Sequence, residues 1–154
     1  MLTYGCQSAQ ILLDHHSKYL YHLKNYYIMT TQQVADRLIG LCRQGQYEQA
    51  VNELYASDAI SVEPEGVPDR IVRGLDQIHA KGEAFNSKIE KVNSSYVSDP
   101  VVADNFFSCS MLMNVNMKGM PMAIEMNEVC VYTVANGKVT KEEFFYTPKP
   151  NPGV

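Results

Sequence analysis

Near Ile89 the spacing of apolar residues changes, and that change limits the fold more than any other feature of the chain. Before it, apolar side chains recur three and four apart. They fall at Val34, Leu38, Leu41 and Cys42, then at Tyr47, Ala50, Val51, Leu54 and Tyr55, then at Leu75, Ile78, Gly82, Phe85 and Ile89. After it they recur at every second residue. The cleanest run is Phe107, Cys109, Met111, Met113, Val115 and Met117, with Ser108, Ser110, Asn114 and Asn116 between them and Leu112 as the exception. A period near 3.6 marks a helix with one buried stripe, and a period of 2 marks a half-buried strand. Helices followed by an antiparallel meander predict an α+β fold, with the N-terminal helices packed in a curved, mostly antiparallel sheet.

Local signals set the expected boundaries. Thr31 is the expected N-cap of a helix running to about Gln44, with Gly45 just past its end. Ala59 to Val62 reads as a short strand closed by Glu63-Pro64-Glu65-Gly66, since Pro64 has no N–H for a ladder. The third helix is expected from Gly74 to Ile89. Lys91 to Ser98 and Val101 to Ala103 read as extended, broken at Asp99-Pro100, and strands follow over Phe107 to Met117 and Met122 to Val134. Asn136-Gly137 is a strong hairpin signal and returns the chain through Lys138 to Tyr146. With a two-residue turn, Ala135 pairs with Lys138. Glu128, Cys130 and Tyr132 then share a face with Lys141, Glu143 and Phe145, while Glu142, Phe144 and Tyr146 fall on the other.

The first 28 residues differ from the remainder. They hold one acid, two bases, three of the four histidines and five of the ten tyrosines, while the other 126 residues hold sixteen acids and eleven bases. Ile11, Leu12, His15, Tyr19, Leu23, Tyr26 and Tyr27 make a passable amphipathic stripe, but no basic and apolar regions of a secretory signal precede a cleavage site. His15 and His16 project about 100° apart on a helix and share one ion poorly. Met29 is followed by Thr30-Thr31 and a clear helix. The expectation is an N-terminal extension over 1–28, an upstream start or a docking helix, and a single domain over 29–154. A length of 154 residues suits one domain.

Several function classes are disfavoured. A net charge of −4 argues against a nucleic-acid surface, and no apolar run approaches the roughly 18 residues of a membrane helix. Cys6, Cys42, Cys109 and Cys130 show no C-x-x-C spacing, so neither a zinc site nor a thiol redox pair is signalled. Phosphate-loop, dinucleotide and nucleophile-elbow patterns are missing too, so no metal and no cofactor is expected. Reduced cysteines in a cytoplasm are the simplest account.

Three local motifs, in order, carry a family resemblance. Leu54 to Ala59 followed by Glu63-Pro64-Glu65-Gly66 resembles a segment in which an acid directly precedes a proline. Arg73-Gly74 with Ile78 resembles an R-G-x-x-x-I helix opening, and Val131 to Val139 resembles a V-F-x-V-x-D-G-K-I hairpin, continued by Glu143 to Tyr146. Over residues 30–147 the chain is similar to the NTF2-like superfamily, with its SnoaL-like polyketide cyclases and ketosteroid isomerases. The resemblance implies a cystatin-like cone around a deep apolar pocket and a homodimer through the outer sheet face.

It also implies candidate residues. Glu63 takes the place of the isomerases' proton-shuttling base, because a carboxylate facing an apolar pocket has its pKa raised toward a useful range. The bland alternative is a solvated strand-end carboxylate beside Glu65. Glu128 is the candidate second acid, or else a partner to a basic residue on the sheet exterior. The isomerases' oxyanion tyrosine on the first helix corresponds to Leu38 here, so that electrophile is missing. The expected lining is Leu38, Tyr55, Phe85, Met111, Met113, Cys130, Tyr132 and Phe145. Six of the eight methionines fall between Met111 and Met126, either lining a pocket for a small apolar molecule or filling core and interface gaps. The functional expectation is cofactor-free acid–base chemistry of the cyclase or isomerase kind on a small hydrophobic ligand. The alternative is a non-catalytic ligand-binding or dimeric accessory domain.

Overall fold

Thr30, one residue before the expected cap, starts the first helix. Its hydroxyl accepts from the Gln33 amide while the Gln33 side chain accepts from the Thr30 amide, closing a capping box around α1 (Thr31–Arg43). The computed structural model describes residues 28–148, so the readings made for 1–27 and 149–154 lie outside the described residues. Helix α1 buries Val34, Ala35, Leu38, Ile39, Leu41 and Cys42, and Gly45 leaves it with φ of 71°. Helix α2 (Tyr47–Leu54) runs directly into β1 (Tyr55–Val62), so the first strand starts four residues before its expected beginning.

A short strand that the periodicity did not show, β2 (Ile71–Arg73), pairs antiparallel with the end of β1. Three residues are too few to display a period. Helix α3 (Leu75–Asn86) starts after Gly74, whose φ of 79° suits glycine, and ends three residues early because Ile89 opens the next strand. The meander follows as β3 (Ile89–Val97), β4 (Val101–Ala103), β5 (Phe106–Met117), β6 (Ile124–Ala135) and β7 (Lys138–Phe145). Asn136 and Gly137 turn the chain with φ of 53° and 72°, the double positive φ the tight hairpin requires.

The sheet is open and mixed, in the order β2-β1-β7-β6-β5-β3, with β4 beside β5. Among the described residues only the β1–β7 pairing is parallel, and it joins the first strand to the last within the sheet. Core residues from α1, α2 and the inner faces of β5, β6 and β7 form one cluster with Leu38, Leu54, Phe107, Cys130, Tyr132 and Val139. Phe107 and Tyr132, cross-strand partners, stack with ring centroids 4.6 Å apart.

One irregularity decides which side chains enter the interior. Ala135 pairs with Lys138 and Val134 with Val139, but Thr133 pairs with Lys141, so Thr140 is the extra residue of a bulge. From there on β7 is reversed relative to the simple two-residue register. Glu142 now lies beside Tyr132 and Phe144 beside Cys130, on the inner face, while Lys141, Glu143 and Phe145 turn outward. The expected grouping of Glu128 with Glu143 and Phe145 is therefore corrected to Glu128 with Glu142 and Phe144.

Candidate functional site

The register places the polar residues of the interior side by side. Ser61 on β1 pairs with Glu142 on β7, which pairs with Tyr132 on β6, which pairs with Phe107 on β5. One rung further along lie Phe144, Cys130 and Cys109, and beyond them Glu128 opposite Met111. Above these rungs the helices leave a cavity of about 860 Å³. Its lining includes Leu38, Tyr47, Tyr55, Phe85, Met111, Met113, Met126, Tyr132, Phe144 and Tyr146, with Glu63, Lys81, Glu128 and Glu142 among them.

Glu63 follows β1, and its carboxylate is held by two side chains. Lys81 Nζ, reaching down from α3, lies 2.6 Å from Glu63 Oε1 and 2.6 Å from Ser61 Oγ. The Tyr146 hydroxyl donates to Glu63 Oε2 at 3.0 Å. Lys81 also lies 4.5 Å above the Phe144 ring, in cation–π range. Ser61 is fully buried, and its hydroxyl oxygen accepts from the half-buried Lys81 ammonium. Burial and the Glu63 charge hold the Tyr146 hydroxyl well above its usual range.

Glu128 is differently placed. Half-buried midway along β6, it has a weak donor, the Cys130 thiol at 3.7 Å from Oε1. No Lys or Arg of the described residues lies within ion-pair distance of it. Its pKa rises from 4.5 to about 7, chiefly because burial penalises the carboxylate and secondly because Glu63 is near. Glu142 is 5% exposed and accepts from the Tyr55 hydroxyl, whose pKa burial and that carboxylate raise well above the ordinary value.

Of the side chains expected to line the interior, Leu38, Tyr55, Phe85, Met111, Met113 and Tyr132 do so, together with both Glu63 and Glu128. Two are corrected. Phe145 is 54% exposed on the outward face beside a hollow of about 300 Å³, and Phe144 takes the inner position because of the Thr140 bulge. Cys130 is fully buried in the core cluster, behind the wall rather than on it. The residues missed were Lys81, Ser61, Glu142 and Tyr146. Lys81 stands at the edge of the apolar stripe of α3, between Ile78 and Phe85, where a lysine reads as solvated; Glu142 and Tyr146 were assigned to the wrong face. Among the described residues no group of three or more His, Cys, Asp or Glu side chains could hold a metal ion.

A family model for the SnoaL-like domain matches residues 29–146. Among solved structures, a protein assigned as a SnoaL-like polyketide cyclase from Mesorhizobium loti is 29% identical, with a TM-score of 0.72 over 77% of this chain and 100% of that one. An NTF2-like protein of unknown function from Burkholderia pseudomallei is 14% identical, with a TM-score of 0.65 over 77% and 92%. A protein with a ketosteroid isomerase-like fold from Catenulispora acidiphila, in complex with trimethylamine, is 18% identical, with a TM-score of 0.58 over 70% and 80%. No curated protein matches the sequence.

Proposed function

The chain belongs to the SnoaL-like domain family, and from that premise we propose that its interior cavity takes a small, largely apolar organic molecule and that Glu128 exchanges a proton with it. One observation carries this reading: a carboxyl that faces the cavity with a pKa near 7 has its two protonation states balanced at neutral pH. Such a group takes a proton from an acidified C–H in one step and returns it in the next, the core of isomerase and cyclase chemistry. Glu63, tied to Lys81 and Tyr146, acts as the positioning residue that fixes the ammonium and the phenol at the cavity wall. Buried free thiols at Cys42, Cys109 and Cys130 fit a reducing cytoplasm.

The test is deuterium exchange at the α-carbon of a panel of apolar ketones, followed by NMR. Exchange by the full chain is expected to rise as pH increases through about 7, as the Glu128 base forms. Glu128→Gln is expected to lose about 100-fold or more of that rate, the usual contribution of a positioned base. An undiminished rate in the folded variant would clear Glu128 of the role. A second reading, a non-catalytic binding domain, is favoured by the fixed ion pair on Glu63, and it predicts ligand binding without any exchange.

A further inference from the structure

The cavity holds more negative charge than a neutral ligand calls for. Inside it stand three carboxyls, Glu63, Glu128 and Glu142, and one ammonium, Lys81; at the rim the exposed Asp69 and Lys88 offset one another. Lys81 is already committed, with its Nζ shared between Glu63 and Ser61. That arrangement shows what the interior accepts: an ammonium against a carboxylate and over an aromatic ring. The cavity has two more carboxyls, and neither has such a partner. Glu128 and Glu142 line it together with Tyr47, Tyr55 and Tyr132, and no basic side chain of the described residues lies within ion-pair distance of either carboxyl.

We propose that the ligand of this cavity is an organic cation, a protonated or quaternary nitrogen on an apolar body, seated between the Glu128 and Glu142 carboxyls and the tyrosine-lined wall. The proposal rests on the reading of the cavity as a ligand site and names the class of ligand. Its volume of about 860 Å³ holds a body much larger than a bare metal or ammonium ion, and the methionine wall of Met111, Met113 and Met126 suits an apolar one. The groups that bear on Glu128 are Glu63 from the end of β1, Glu142 from β7, Cys130 on its own strand, Cys109 on β5, Tyr47 on α2, Tyr146 after β7 and Lys81 on α3. Lys81 is the cation of that set. In the unliganded cavity a proton on Glu128 relieves the surplus of negative charge; a bound cation takes over that task and releases the proton.

The experiment is calorimetric titration of the full chain with benzyltrimethylammonium and with neopentylbenzene, its uncharged isostere. The cation is expected to bind the more tightly. Its affinity should strengthen about tenfold between pH 6 and pH 8, because a Glu128 pKa near 7 makes the proton its competitor at the lower pH. Buffers of different ionisation enthalpy should then report proton release at pH 7. Glu128→Gln should bind with a flat pH profile, and Glu142→Gln should weaken the cation without weakening the isostere. Equal, pH-independent affinities for the two probes would overturn the cation proposal and leave the apolar-ligand reading standing. Binding of neither would end both. Should Glu128→Gln fail to fold, the pH dependence and proton release of the unaltered chain decide the matter.

Discussion

Glu63 and Glu128 are the same side chain in one cavity with different partners. Glu63 has an ammonium at 2.6 Å and a phenol at 3.0 Å; Glu128 has a thiol at 3.7 Å and neighbouring acids. The consequence for stability carries a definite sign. Folding raises the Glu128 pKa from 4.5 to about 7, so between those values the folded state holds a proton that the unfolded state has lost. Stability therefore falls as pH rises through that window, and the full cost above it is about 3 kcal/mol for a shift of that size. Glu128→Gln, which cannot ionise, is expected to unfold in urea at the same midpoint at pH 5 and pH 8, and to exceed the unaltered chain at pH 8. A variant that kept the downward slope would place its origin elsewhere.

At the scale of elements, β7 governs the site through one residue. The Thr140 bulge turns Glu142 and Phe144 inward and sends Glu143 and Phe145 out, and the Thr140 hydroxyl donates to the Thr133 carbonyl at 3.3 Å across the bulge. Deleting Thr140 removes the extra residue and leaves every later pair as it is, with Lys141 opposite Thr133, Glu142 opposite Tyr132 and Phe144 opposite Cys130. Glu142 would stay beside Tyr55 and Ser61, so the deletion is expected to fold cooperatively, whereas one residue inserted after Lys141 turns Glu142 and Phe144 outward and is expected to prevent cooperative folding. An insertion with an unchanged thermal transition would show that β7 tolerates either register. This bulge also marks the limit of what the residues disclosed. The period change at Ile89, the hairpin at Asn136-Gly137 and the clean alternation of β5 were legible because each spans many residues or demands a special φ. A single inserted residue in a strand with polar side chains on both faces, Thr140, Lys141, Glu142 and Glu143 in succession, leaves no such trace. The inward position of Glu128 came from the family resemblance, because both faces of β6 are mixed and periodicity made no choice between them, and Lys81 stands at the edge of the α3 stripe, where a lysine reads as solvated.

At the scale of the whole molecule, the sheet has an outer face that the helices of the described residues do not cover. The register puts Phe106, Val101, Tyr96, Val129 and Phe145 on that face, and they are 47, 71, 59, 47 and 54% exposed. The ion pair Lys141–Glu143 at 2.9 Å lies among them. Ser108, Ser110 and that ion pair interrupt them, yet five large apolar side chains exposed on one face suit a contact with another molecule. The family resemblance suggests a second copy of the chain as the occupant. A two-fold pairing of the face against itself buries the same residues on both sides, so one substitution is felt twice. Val129 and Phe145 are cross-strand partners near its middle, and Val129→Glu is expected to place two carboxylates in the centre of the pairing. Sedimentation of the full chain should show a dimer at micromolar concentration, and Val129→Glu should shift it to monomer with an unchanged far-ultraviolet spectrum. The cavity opens on the opposite side of the sheet, so binding of a cavity ligand should survive in the Val129→Glu monomer. Should the full chain sediment as a monomer at every concentration, the outer face would need a different occupant, while the Glu128 chemistry would be untouched.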